Sequence, residues 1–105
     1  CPPWTTEQLQ LRAEWLHTCY EPAIVKAFND FHDDDFHVDL ESLEVPVLLV
    51  VAGKGGVIQA QDEAEMQSLV PDLTVRRVPA AGHMIPWDDY EGFFTSLHGF
   101  LGVKV

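Results

Sequence analysis

Positive charge, cysteine and long apolar runs are all scarce in this 105-residue sequence, and each scarcity excludes something. Six Lys and Arg stand against 17 Asp and Glu, a net charge of −11. A phosphate backbone is gripped by clustered cations, so nucleic acid is excluded as a partner. The acidity itself speaks to solubility more than to function. Two cysteines, Cys1 and Cys19, make neither a disulfide framework nor a thiolate metal pattern. A reduced, cytoplasmic setting is the expectation. No apolar run approaches the roughly 18 residues that a membrane-spanning helix requires, so no membrane partner is expected. The opening "CPPW" carries neither an initiator Met nor the basic and apolar regions of a signal peptide. It reads as beginning partway through a longer chain.

What is present suits a small globular piece. Hydrophobic residues make up 47% of the chain, enough for a core, and there are no repeats or low-complexity tracts. "TTEQLQLRAEWLHT", residues 5–18, predicts a helix: Thr5 and Gln8 have capping-box spacing, and Leu9, Ala13 and Leu16 share a face. A second helix is predicted with Pro22 in its first turn and Ile24, Ala27, Phe28 and Phe31 along one side. "HDDDFHVD" breaks that pattern and reads as a solvated turn or linker.

From Val45 the texture changes. "VPVLLVVAG" is an apolar run ended by Gly53, the habit of a parallel strand covered on both faces. "QDEAEMQSLVP" predicts a short helix with Asp62 and Glu63 at its positive end and Pro71 beyond it. "LTVRRVP" reads as an outer strand. Asp88 and Glu91 suggest an acidic capping box for a last helix, on which Tyr90, Phe93, Phe94, Leu97, Phe100 and Leu101 recur at helical spacing. The order is therefore β-α-β-α, with a lone histidine, His83, in the final strand-to-helix loop. Ligands of open α/β sheets bind where the carboxyl ends of strands hand over to helices. Gly82 would let the backbone turn there without a side-chain clash.

"PVLLVVAG", "AAGHMIPW" and "DDYEGFFTSLHGFL", in that order and spacing, resemble the C-terminal portion of an α/β-hydrolase, over roughly residues 39–102. "EQLQLRAEWLHTCYEPAIVKAF", "VAGKGGVI" and "AGHMIPWDDYEGFF" extend the likeness across almost the whole chain, towards the amidases of that family that remove a formyl group. The resemblance implies an α/β fold comprising the last two core strands and helices (39–105) together with part of a helical cap (1–38). It implies a serine-type amidase cleaving a formamide C–N bond of a small carboxylate-bearing molecule in nicotinate catabolism. No cofactor and no metal belong to that chemistry. His83 would be the catalytic histidine, in the chain order nucleophile, acid, histidine. Many α/β-hydrolases place the acid three residues after the glycine that ends the first strand, and here that position is Gly56. The acid and the serine are then expected upstream, in an N-terminal part of the same protein; neither Ser42 nor Ser68 has flanking glycines. Asp62 and Asp88 are the local carboxylates to consider, and both suit helix starts better.

A formamide needs an activated nucleophile, a proton for the departing nitrogen and donors for the oxyanion. One imidazole serves twice, since it titrates near pH 6.5 when unperturbed and so carries both states near neutrality. The bland alternative for His83 is a loop histidine bonded to nearby backbone. Trp15, His17 and Tyr20 on the cap-like helices, and Val57, Ile58, Met84 and Ile85 beside the two sheet-end loops, are candidates to line the substrate pocket, with Trp15, Tyr20, Ile58 and Met84 foremost. Packing explains each of them equally simply. A substrate carboxylate calls for a cation or N–H groups, and among Arg12, Lys26, Lys54, Arg76, Arg77 and Lys104 no choice is made. "GKGG" lacks the Gly-Lys-Ser/Thr ending of a phosphate loop.

Other functional classes are a different small ester or amide as substrate, an N-terminal Cys1 nucleophile, a non-enzymatic interaction domain, and a metal site at His32 and His37 with Asp33, Asp34 and Asp35. The last spacing matches no strong zinc signature. Two strands alone would leave an apolar sheet edge needing further strands.

Overall fold

Residues 4–55 and 57–102 are described by the computed structural model. The readings made on Cys1, Gly56 and Lys104 lie outside the described residues. The chain divides into two compact units, one ending at Phe36 and one beginning at His37. Among the described residues no helix is long and apolar enough to cross a membrane.

The first unit holds two helices, α1 (Thr6–Leu16) and α2 (Glu21–Asp33). The predicted capping box opens α1: the Gln8 amide N–H donates to Thr5 Oγ1 at 3.2 Å, and Thr5 N–H donates to Gln8 Oε1 at 2.8 Å. Two of the four orphan donors of the first turn are met in this way. Pro22 stands in the first turn of α2, where its missing N–H costs nothing. Leu9, Leu16, Ile24, Phe28 and Phe31, the apolar faces read from the sequence, are all exposed.

The expected linker at "HDDDFHVD" is partly helix. α2 runs on to Asp33, and a single turn, α3, follows at His37–Leu40. The His32 ring explains the continuation: its Nδ1–H donates to Phe28 O at 2.7 Å and the ring lies 4.2 Å from that of Phe28. A titratable side chain thereby strengthens the last turns instead of breaking them. Leu40, buried at the end of α3, is the apolar anchor that the acidic surroundings hid.

In the second unit the β-α-β-α order appears as β1 (Val47–Ala52), α4 (Ala60–Leu69), β2 (Leu73–Val78), a short α5 (Ile85–Asp88) and α6 (Tyr90–Leu101). The two strands pair in parallel, Val47 opposite Leu73 through to Ala52 opposite Val78. Side chains alternate between the faces of a strand, and the two faces of β2 meet different helices. Arg77 on one face pairs with Glu63 of α4 at 2.5 Å. Val78, its neighbour, points the other way and lies against Gly92 of α6. Helices thus meet β2 from both sides, but in β1 only Val51 is buried and the other residues are half-buried, so the cover expected from its unbroken apolar run is incomplete among the described residues. Val51, Val70, Val78 and Ala81 form the buried centre of this unit, each at most 2% exposed.

Candidate active site

His83 lies in the loop between β2 and α5, at the carboxyl end of the parallel pair. The loop leaving β1 runs beside it. Gly53 N–H donates to Val78 O at 2.9 Å, and Lys54 N–H donates to Ala81 O, also at 2.9 Å. The strand pairing therefore continues past the strands as a short zipper of exit loops. Ile58 follows the first loop and His83 with Met84 the second, so these three leave the sheet from one end. Ile58 and Met84 are half-buried and His83 is exposed. Among the described residues no hydrogen bond ties the imidazole to nearby backbone.

The frame on the other side of His83 differs from expectation. Asp88 does not start the last helix. Asp89 does: its backbone is extended, with φ −148° and ψ 82°, and its Oδ1 accepts Gly92 N–H at 2.9 Å. Asp88 instead ends α5 and turns its carboxylate back, where Oδ2 accepts Gly82 N–H at 2.8 Å. Trp87 N–H and Asp88 N–H both donate to Met84 O at 2.9 Å. His83 is held between these anchors. The sequence signal for α5 was Pro86, which favours a first helical turn and so marks a helix separate from α6.

Gly82 also differs. Its φ is not positive, so no unusual backbone turn requires glycine there. A Cβ at that position would stand 3.0 Å from Asp88 Oδ2, a tight contact with the end of a side chain that a shift of a few tenths of an ångström would relieve.

Asp62 is a helix-start residue as read: its Oδ2 accepts Gln59 N–H at 2.7 Å in a capping box. Ser96, beside Ser42 and Ser68, is the third serine of the chain. Phe94 and His98 occupy the places where flanking glycines would stand, and its hydroxyl donates to Gly92 O at 2.9 Å. The other two serines donate to carbonyls of their own turns, Ser42 to Asp39 and Ser68 to Glu65. Trp15 and Tyr20 belong to the first unit and are 67% and 72% exposed. An open hollow in that unit is lined by one face of α2, including Pro22, Val25 and Lys26. Among the described residues no three His, Cys, Asp or Glu side chains gather as a metal site would need.

Fold and site together describe a parallel α/β unit with a histidine at its strand ends, and the proteins it is similar to are deformylases. No family model matches the chain. N-formylmaleamate deformylase of Pseudomonas putida is 60% identical over 101 residues, 96% of this chain and 38% of the relative. The crystal structure of a serine-to-alanine variant of N-formylmaleamic acid deformylase, also from Pseudomonas putida, superposes with a TM-score of 0.82 at 57% identity, covering 92% of this chain and 38% of that one. The chain thus spans little more than a third of the length of either relative. The resemblance read from the sequence is borne out over nearly all of these residues. An alignment of 101 residues in a chain of 105 necessarily includes the His83 loop.

Proposed function

We propose that this chain is the C-terminal portion of an α/β-hydrolase-type serine amidase, and that His83 is its catalytic base. The reaction is hydrolysis of the formamide C–N bond of N-formylmaleamate to maleamate and formate, a step of nicotinate catabolism in the cytoplasm. The observation that carries this reading is the 60% identity to a deformylase across 96% of the chain. The seat of His83 at the carboxyl end of a parallel strand supports it, since that is where α/β sheets place their ligands. Residues 1–38 would form part of the cap and 39–105 the end of the core. The nucleophilic serine and the acid would come from an earlier part of a longer chain.

The chemistry asks little of the residues present beyond one well-placed imidazole. The exposed ring of His83 is open to a serine brought by the rest of the protein. It takes the serine proton as Oγ attacks the formyl carbon, then returns that proton to the departing maleamate nitrogen. The formyl group, now an ester on serine, is attacked by water with the same imidazole as base, and formate leaves. Trp15, Tyr20, Ile58 and Met84 would contact the substrate. Half-buried Ile58 and Met84 would shield so small an acyl group from bulk water.

The test is formate release from N-formylmaleamate by the full-length protein and its His83→Ala variant, both shown to be folded. The expected result is rapid release by the first and a loss of about 10⁴-fold or more in the second. Release by both at similar rates would remove His83 from catalysis. No release by the parent would sink the substrate assignment and leave another small ester or amide, or no reaction at all.

A further inference from the structure

We propose that Asp88 is a positioning residue that sets the aim of His83 by holding the backbone N–H just before it; this rests on His83 being the catalytic base. Gly82 N–H donates to Asp88 Oδ2 at 2.8 Å in a part-buried position. Asp88 is itself fixed, because its own N–H donates to Met84 O at 2.9 Å. The two bonds bracket His83: one grips the residue before it and the other the residue after it. The acceptor is a carboxylate, and bonds of N–H to a charged oxygen are roughly twice as strong as neutral ones. Gly82 permits the approach, since a Cβ there would stand 3.0 Å from the same oxygen. Upstream, Lys54 N–H on Ala81 O fixes the residue before Gly82, so the backbone around His83 is tied from both sides.

A role through the backbone is distinct from that of a triad acid. Asp88 Oδ2 meets an amide, and no hydrogen bond among the described residues reaches the His83 ring. A base displaced by about 1 Å loses on the order of 10²-fold in rate, because proton transfer needs a near-attack geometry. What matters in Asp88 is then an acceptor oxygen at that place, more than a charge beside the imidazole.

The full-length protein is compared with Asp88→Ala and Asp88→Asn. In Asp88→Ala kcat is expected to fall about 100-fold per folded molecule, with KM within about three-fold, since ground-state binding does not use the clamp. Asn keeps an acceptor oxygen at the same place, so Asp88→Asn is expected to recover most of that loss and to keep the parent's pH profile. The Gly82 amide proton, read by NMR without substrate, is expected downfield in the parent and in Asp88→Asn and shifted upfield in Asp88→Ala, with a more mobile His83 ring. Equal kcat in parent and Asp88→Ala, or an unmoved Gly82 amide and His83 ring, would overturn the proposal. So would a loss near 10⁴-fold in Asp88→Asn, the mark of an acid acting on the imidazole itself. If the parent releases no formate the deformylase reading fails by itself, and the amide and ring signals still decide whether Asp88 orders His83.

Discussion

Replacing Gly53 by Ala tests whether the zipper of exit loops is what seats the histidine loop. Gly53 has no positive φ, so alanine meets no backbone penalty of its own. What it lacks is room. A Cβ there would stand 2.5 Å from Pro79 Cα, 2.6 Å from its carbonyl oxygen and 2.8 Å from its carbonyl carbon. These are backbone atoms and have no rotamer to swing away. Ordinary contact begins at 3.4 Å, so the two segments must part by roughly 1 Å. The bonds from Gly53 N–H to Val78 O and from Lys54 N–H to Ala81 O, both 2.9 Å, would be stretched beyond useful length. Two such bonds contribute about 1–3 kcal/mol net, and residual overpacking adds about 1–2 kcal/mol. The expected destabilisation is therefore about 2–5 kcal/mol, read as a shift in urea midpoint at unchanged slope in the full-length protein. The strain also falls on Pro79, shortly before His83, so formate release should drop about ten-fold or more in the fraction still folded. Gly99→Ala is the control: nothing lies within 4 Å of that Cβ, and Ala is the better helix former by about 1 kcal/mol. A Gly53→Ala protein within 0.5 kcal/mol of the parent, on the order of the effect of an ordinary surface change, would refute the clash and with it the claim that the loops are locked together.

Val78→Ala removes two methyl groups from a site 1% exposed, between the sheet and α6, and should cost about 1.5–3 kcal/mol by denaturant titration, with little change in KM. Thr5→Ala removes the acceptor of the α1 capping box and should cost about 1 kcal/mol locally, seen as faster hydrogen exchange in the first turn of α1 without a change in the His83 loop.

How far these features were legible in the sequence depends on whether their cause was local. The Thr5–Gln8 box is a contact between residues one helical turn apart, so two letters and a spacing expose it. The parallel pair was legible for a related reason. A run suited to cover on both faces is apolar throughout, and Val47–Ala52 ended by Gly53 has that texture without reference to any partner, although only Val51 is buried in it here. The acidic stretch after α2 misled because charge counts measure exposure, and exposure does not distinguish a solvated loop from a solvated helix end. His32 closing on Phe28 O decides the matter, and that is a side-chain choice between two permitted structures.

The Asp88–Asp89 pair shows the limit more sharply. Two adjacent carboxylates offer the same cap chemistry, and the letters rank neither above the other. The backbone decides, because a break between α5 and α6 makes Asp89 extended and free to cap, and leaves Asp88 on the last turn of α5 facing Gly82. Once that break is known, the two acids part: Asp89 caps α6 and Asp88 accepts Gly82 N–H in the histidine loop. The same logic bounds the site. A strand end, a glycine and a histidine lie within one short stretch, so the seat of the proposed base is readable there. The nucleophile and acid of the proposed mechanism would reach that histidine through the tertiary fold, from other strand ends, and no pattern near His83 can encode where they stand. The residues around His83 therefore specify how it is held, through Gly82, Met84 and Asp88, while what it acts upon is specified elsewhere.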